Sequence, residues 1–509
     1  PLLDGSGTPS FTGTNEDTIS PGDTVATMLA TGAGGDPMSD IDNGAVEGIA
    51  IFATANNGTW QFSTGAGFVS FPATLNVSTA LLLRATDTIR YVPDGLNGET
   101  AAISFYGWDQ AFGPFGSTAS AATRGGTTAF STNSDVAELI SSALNDAPSL
   151  DNSGTPYIVT TDEDTDSPAT LVSAFLATGA GSNPITDPDF AAIEGIGIIA
   201  TAGAGTWQYN TGSGFTSISG VNASSALLLR ATDSLRYVPD RKNGETAFFT
   251  FVAWDQFSGT AGVLPDPNPN GGTTAYSTAT DIGHIIVTHL NDAPNLDESD
   301  EMNFTTITED ETMNTGDLVQ TLINSSAANA NNAISDVDLP QDPEGWAIVG
   351  SSVTGTGTGT WQFSTVSGTT WVAIGTVNFN SALLLRAGAA TDRVRFLPDA
   401  ENATTANLTI HAWDQNTNAA SDRVDLAVVG TGGTTAFSTA DEEDVTILVT
   451  AVNDAPIISG TQQLTGIDDE FDTAVKPSSA FPFSTVVITD VDLNLADEIS
   501  LTVSMDDCN

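Results

Sequence analysis

Carboxylates at fixed intervals are the groups in this chain best able to do chemistry. Asn15-Glu16-Asp17 is followed by the pair Asp40/Asp42, by Asp94 in a Pro-Asp-Gly turn and by Asp109 in Trp-Asp-Gln. The series returns as Glu163, Asp164, Asp187, Asp189, Asp240 and Asp255, and again as Glu309, Asp310, Asp336, Asp338, Asp399 and Asp414. A further pair, Asp490/Asp492, lies near the C-terminal end. Between the series stand Asn145-Asp146, Asn291-Asp292 and Asn453-Asp454, each inside an Asn-Asp-Ala-Pro tetrapeptide. Two carboxylates 4 Å apart repel by about 1 kcal/mol in water and about 4 kcal/mol at an effective dielectric of 20. Asp and Asn favour turns on their own account, so solvated turns are the plain alternative, and both readings stay open for the turns carrying Asp94/Glu99 and Asp240/Glu245. Turns do not need the same repulsion three times over. A hard divalent cation does, because Ca²⁺ takes about 6–8 oxygens from carboxylates, amides and backbone carbonyls. Zn²⁺ would call for His and Cys, and the chain has three His and one Cys.

The elements that must hold these acids are strands. One, three and five residues before the Trp of Trp-Asp-Gln stand Gly107/Phe105/Ile103, Ala253/Phe251/Phe249 and Ala412/Ile410/Leu408, the buried face of a period-two pattern. The intervening position varies freely among Tyr106, Val252 and His411. Gly, Asn, Asp and Pro punctuate the strands, and no 3.6-residue apolar period is sustained. Larger motifs repeat as well. GTWQF at 58–62 returns as GTWQY at 205–209 and as GTWQF at 359–363, ALLLR at 80–84 returns at 226–230 and 382–386, and GGTTAFS at 125–131 returns at 271–277, with Tyr276, and at 432–438. Pro148, Pro294 and Pro456 lie 146 and 162 residues apart, the length of whole domains in tandem. The expectation is an all-β tandem array of immunoglobulin-like β-sandwich domains: 1–147, 148–293, 294–455 and a partial fourth repeat over 456–509.

Twelve Lys+Arg against 63 Asp+Glu give a net charge of −51, which repels nucleic acid and anionic membranes. With 40% hydrophobic residues and eight Trp the chain folds nonetheless, so part of that charge must be neutralised. Cys508 excludes an intrachain disulfide, and no apolar run reaches the roughly 18 residues of a membrane span.

The NDAP linkers, the DxD pairs and the strands ending in an aromatic-acid pair resemble the cadherin-like tandem repeats of giant bacterial surface adhesins, over essentially the whole chain. The departures are a missing DRE triplet, for which Asp94/Glu99 stand in, and a longer third repeat. The resemblance implies Ca²⁺ between successive domains. The first junction would then draw on Glu16, Asp17, Asp94, Asn145, Asp146, Asp187, Asp189 and Asp255. The second would use Glu163, Asp164, Asp240, Asn291, Asp292, Asp336, Asp338 and Asp414, and the third Glu309, Asp310, Asp399, Asn453, Asp454, Asp490 and Asp492. Asp40, Asp42 and Asp109 would form a half-site. Because both ends cut through the repeat pattern, the 509 residues read as an internal window of a longer array.

The remaining residues point away from catalysis. The histidines do not recur, and no nucleophile constellation, phosphate loop or HExxH appears. Arg84/Arg230/Arg386 and Arg90/Arg236/Arg395 are expected in structural pairings, and Trp60/Trp207/Trp361 in the core. GGTTAFS is either a turn every copy needs or a docking loop for another chain. The functional expectation is a non-enzymatic, extracellular, calcium-stiffened stalk at the cell surface. Its partners would be neighbouring repeats of the same chain, with no nucleic acid and no membrane insertion. The alternative is a subunit that assembles with copies of itself into a fibre, sheath or surface layer, and a lectin role for the sandwich loops is a third reading.

Overall fold

The computed structural model describes residues 1–299, 301–326, 332–340, 342–388, 391–439, 443–460 and 485–492. Most of the expected fourth repeat, and Cys508 with it, lies outside these residues. The chain forms two compact units, residues 1–240 with 245–287, and residues 241–244 with 288–509. The first unit contains two β-sandwiches and the second contains one.

The first sandwich begins with β1 (Leu2–Leu3), β2 (Thr14–Asn15), β3 (Asp23–Thr24), the single-turn helix α1 (Val25–Leu29) and β4 (Met38–Ser39). Then follow β5 (Gly48–Ala55), β6 (Thr59–Ser63), β7 (Val69–Ser70), β8 (Ala80–Arg84), β9 (Thr88–Val92), β10 (Glu99–Trp108), β11 (Thr118–Ala119) and β12 (Phe130–Ser142). One sheet has the order β11-β8-β5-β10-β12-β2, the other β3-β9-β6-β7, and β1 pairs with β4. β2 runs parallel to the end of β12, with Thr14 opposite Ser141, which brings the Glu16 cluster to the strand that leads into the linker. The second and third sandwiches repeat this plan around the central strands Glu245–Trp254 and Thr404–Trp413. An all-β tandem array of sandwiches is therefore what the chain builds.

The inward positions of β10 pack as the period-two pattern predicts, with Ile103 and Phe105 fully buried against Trp60, Phe62 and Tyr91 of the facing sheet. Trp207 and Trp361 are core residues of their own sandwiches. The opposite face is covered as well, because the variable residues Tyr106, Val252 and His411 are buried too. The segment after each Trp-Asp-Gln folds back over that face and forms a second small core. In the first repeat it consists of Trp108, Phe130, Ala129 and Leu82, and in the second of Trp254, Tyr276, Ala275 and Leu228. Trp413, Phe437, Ala436 and Leu384 form it in the third.

These packings explain why several motifs recur together. The Gln of GTWQF accepts from the second arginine of each repeat, Arg90 Nε to Gln61 Oε1 at 2.8 Å, with equivalents at Arg236–Gln208 and Arg395–Gln362. The first arginine, Arg84, Arg230 or Arg386, pairs with buried Asp87, Asp233 or Asp392. In Trp-Asp-Gln the glutamine adopts a positive φ (66°, 66° and 63° for Gln110, Gln256 and Gln415), and its amide reaches the backbone carbonyl of Glu47, Glu194 or Glu344. That left-handed step ends the strand and leaves the preceding Asp at the sandwich tip.

Candidate metal centre at the repeat junctions

The site begins with two local turns. In each DxD pair the first Asp uses one oxygen to cap the second residue's N–H: Asp187 Oδ1 accepts from Asp189 N at 2.9 Å, and Asp40, Asp336 and Asp490 do the same. The i to i+2 spacing of the motif is this turn. The Asp of Trp-Asp-Gln caps its own turn likewise, Asp255 Oδ1 accepting from Phe257 N at 2.7 Å. The plain turn reading is thus right for one oxygen of each acid and leaves the other oxygen free for a second task.

The linker supplies that task in part. Asn145 Nδ2 donates to Asp255 Oδ2 at 2.9 Å and to the Thr274 carbonyl at 3.0 Å. Asp146 N donates to Asp189 Oδ2 at 2.9 Å, and Ala147 N donates to the Gly272 carbonyl at 2.7 Å. The next linker is bound the same way inside the second unit, by Asn291 on Asp414 and Thr435, Asp292 N on Asp338, and Ala293 N on Gly433. In the second and third repeats GGTTAFS is therefore both a turn and a docking surface, and what docks on it there is the linker of its own chain. From the other side Glu16 Oε1 accepts from Leu144 N at 2.5 Å. Glu309 Oε1 accepts from Val452 N at 2.6 Å, and Asp454 N meets Asp492.

The carboxylates converge as a result. Ligand oxygens of Glu16, Asp146 and Asp189 lie within 4.8 Å of one another, as do those of Glu309, Asp454 and Asp492. Buried oxygens in these groups, Glu16 Oε2, Asp146 Oδ2, Asp187 Oδ2, Glu309 Oε2 and Asp454 Oδ2, have no hydrogen-bond partner. Burial first, and then the charges of Asp189, Asp17, Glu16 and Asp187, push the Asp146 carboxyl above the usual Asp value. Asp187 and Asp255 are raised by burial with help from Asp189, and Asp336, Asp414 and Asp454 are raised by burial and neighbouring acids in the second unit. Convergent anionic oxygens without donors fit a hard cation.

Other expected residues stand apart from these triads. Asp17 and Asp310 are exposed beside the buried glutamates, and Asn453 is exposed in its linker. Glu163 is buried at the matching place in the second sandwich, where Asp164 N caps onto Asp162. Asp94 and Asp240 are exposed in their turns. Asp399 is taken up by its own hairpin, accepting from Thr358 N, Thr358 Oγ1 and Glu401 N, and those bonds hold its carboxyl below the usual range despite some burial. Glu99 and Glu245 turn inward, accepting from the Tyr91 and Tyr237 hydroxyls and from the N–H groups of Asn57 and Ala204. Where the third repeat has Phe396 for the tyrosine, it has Thr404 for the glutamate. Asp40 Oδ2 lies 3.1 Å from the Pro1 amine, with Asp42 and Asp109 lining the same hollow.

Two junction residues were not anticipated. Asn97 Nδ2 donates to the Pro188 carbonyl at 2.9 Å, and Asn97 Oδ1 accepts from Phe190 N at 3.0 Å, so one amide closes on the DxD loop of the next repeat. Asn243 makes the same pair with Val337 O and Leu339 N. The repeated Asn-Gly of the two turns was the available signal.

No family model matches the chain, and no curated protein matches it. Among solved structures it is similar to extracellular cadherin domains 1–5 of protocadherin gamma B2, at 10% identity and TM-score 0.39, over 89% of this chain and 60% of that one. It thus spans less than two thirds of that protein. It is also similar to mouse cadherin-23 EC22-24, at 10% identity and TM-score 0.38, over 88% of this chain and 96% of that one. Mouse clustered PcdhgC3 EC1-3 is similar at 12% identity and TM-score 0.28, over 77% and 89%. At these identities and scores the likeness carries no functional argument. Among the described residues no helix is long and apolar enough to cross a membrane.

Proposed function

We propose that this chain is a non-enzymatic, extracellular repeat array whose junctions are stiffened by calcium, a stalk segment of a bacterial type of cell-surface adhesin. The observation that carries the reading is the convergence of Glu16, Asp146 and Asp189 beside buried carboxylate oxygens that no donor satisfies. Glu16 holds the linker at Leu144 from the first repeat, while Asp189 and Asp255 hold it at Asp146 and Asn145 from the second. The linker is gripped from both sides, and the remaining oxygens face one another. Bound Ca²⁺ would supply the positive charge that turns this repulsion into a link between repeats. Glu309, Asp454 and Asp492 offer the same donor set at the third junction. Without that charge, adjacent domains move relative to each other by default.

The test is calorimetric titration of the full chain with calcium, against an Asp189→Asn variant. Saturable binding with a Kd of about 10⁻⁶ to 10⁻³ M, reduced in stoichiometry or affinity by Asp189→Asn, supports the reading. Absence of saturable binding sinks it.

A further inference from the structure

We propose that the third repeat carries a binding site for an acidic saccharide, a uronate unit, between the 312–316 turn and the strand Arg393–Pro398. A hollow of about 480 Å³ there is lined by Arg393, Arg395 and Trp371, and no carboxylate lines it. In a chain with 63 acidic and twelve basic residues such a surface is exceptional. Arg84, Arg230 and Arg386 each pair with an aspartate, whereas Arg393 and Arg395 pair with no carboxylate among the described residues. Arg393 Nη1 donates to the Gly316 carbonyl at 2.7 Å, which anchors the side chain, while its Nε and Nη2 donate to nothing among the described residues. Arg395 is fixed by Gln362 and by the Asn314 carbonyl, and its guanidinium lies 4.1 Å from the Trp371 ring centroid.

The chemistry selects the ligand class. A guanidinium with free N–H donors matches a planar carboxylate in a two-pronged contact. Half-buried Trp371 offers aromatic surface and an indole N–H without an acceptor among the described residues. The hydroxyls of Thr312, Thr315 and Ser367 line the same hollow and make no hydrogen bond there, so they can meet sugar hydroxyls. The volume falls within the roughly 300–1,000 Å³ of small-molecule sites. A densely charged polyanion such as nucleic acid would be repelled by the rest of the chain, whereas one carboxylate per ring is tolerated. The neighbouring hollow across Met313–Thr315 shares Arg395 but is also lined by Glu311 and Asp317, which favours the side where Arg393 stands without a carboxylate. Neither of the first two repeats has the site. Arg393 stands where the first two repeats have Thr88 and Ser234, and Trp371 stands where they have Phe68 and Phe215.

The test is titration of the full chain with trigalacturonate in a chelator, followed by tryptophan fluorescence and calorimetry, with maltotriose as the uncharged comparison. The site predicts saturable binding of trigalacturonate, weak or no binding of maltotriose, and about tenfold weaker binding for Arg393→Thr. Trp371→Phe, which installs the residue of the other repeats, should weaken binding while circular dichroism stays unchanged. No saturable binding in chelator, or binding indifferent to both substitutions, overturns the proposal. Binding that requires calcium would place the sugar on the junction cations and overturn it too. Because the assay runs without calcium, its failure leaves the junction reading to its own titration.

Discussion

Replacing Glu16 by Gln should change the stability of the first unit in opposite directions with and without calcium. The amide keeps an oxygen to accept from Leu144 N, so the linker grip survives. What disappears is one of three charges whose oxygens lie within 4.8 Å of one another. At that separation a pair repels by about 3.5 kcal/mol at an effective dielectric of 20. The substitution removes two of the three pairs. Asp146 and Asp189 are partly open to water, so screening cuts the gain to about 2 kcal/mol. In chelator, Glu16→Gln should therefore raise the melting temperature by about 4–8 °C. In saturating calcium the variant has lost a ligand, and the stabilisation that bound cation gives through mass action shrinks, so it should melt below the parent chain. Differential scanning calorimetry of both proteins under both conditions reads the sign directly. A shift of the same sign in chelator and in calcium would make Glu16 an ordinary structural residue and not a cation ligand.

Three further outcomes follow from the same geometry. Asn97→Ala removes both amide contacts to the Pro188–Phe190 backbone and should cost about 1–2 kcal/mol of coupling between the first two repeats, seen as faster hydrogen exchange at Phe190 in calcium as well as in chelator. Trp254→Ala empties the second small core and should cost about 3–5 kcal/mol. Since that core carries the loop that accepts from Ala147, the same variant should weaken calcium binding at the first junction in a titration. The third outcome is a pH effect. Asp146, Asp187 and Asp255 have carboxyls raised above the ordinary Asp value, chiefly by burial. A carboxyl so raised binds its proton more tightly folded than unfolded. The cost is full above the raised value and is relieved as pH falls toward the ordinary Asp range. Chelated protein should gain stability on mild acidification, and calcium-loaded protein should lose it as protons compete for the ligands. Melting curves across that range check both signs.

Much of this was legible in the residues. Period two before each Trp-Asp-Gln marked Ile103 and Phe105 as core, and recurrence at domain length marked tandem sandwiches. The acids most clearly drawn together, Glu16, Asp146 and Asp189, sit 43 to 173 residues apart in sequence, yet their repetition singled them out. What was hidden depended on side-chain direction. Asp399 and Asp94 occupy the same turn position, but only the fold shows that Asp399 is taken up by Thr358. Glu99 looked like a junction acid until its hydroxyl partner on Tyr91 appeared. Tyr106 and Val252 stand at a position that varies between repeats, and they are buried because a later segment covers them, a contact no local pattern encodes. The joint role of GGTTAFS and the linker was equally invisible, since Gly272 and Ala147 are 125 residues apart in sequence and meet only in the folded chain.

The most direct test of the central claim is small-angle scattering on the full chain with calcium and with chelator, at several protein concentrations. Calcium should hold the chain as a stiff, monomeric particle, and its removal should make that particle more flexible and more compact. A scattering profile indifferent to calcium would contradict the claim and return the repeated acids to the role of solvated turns.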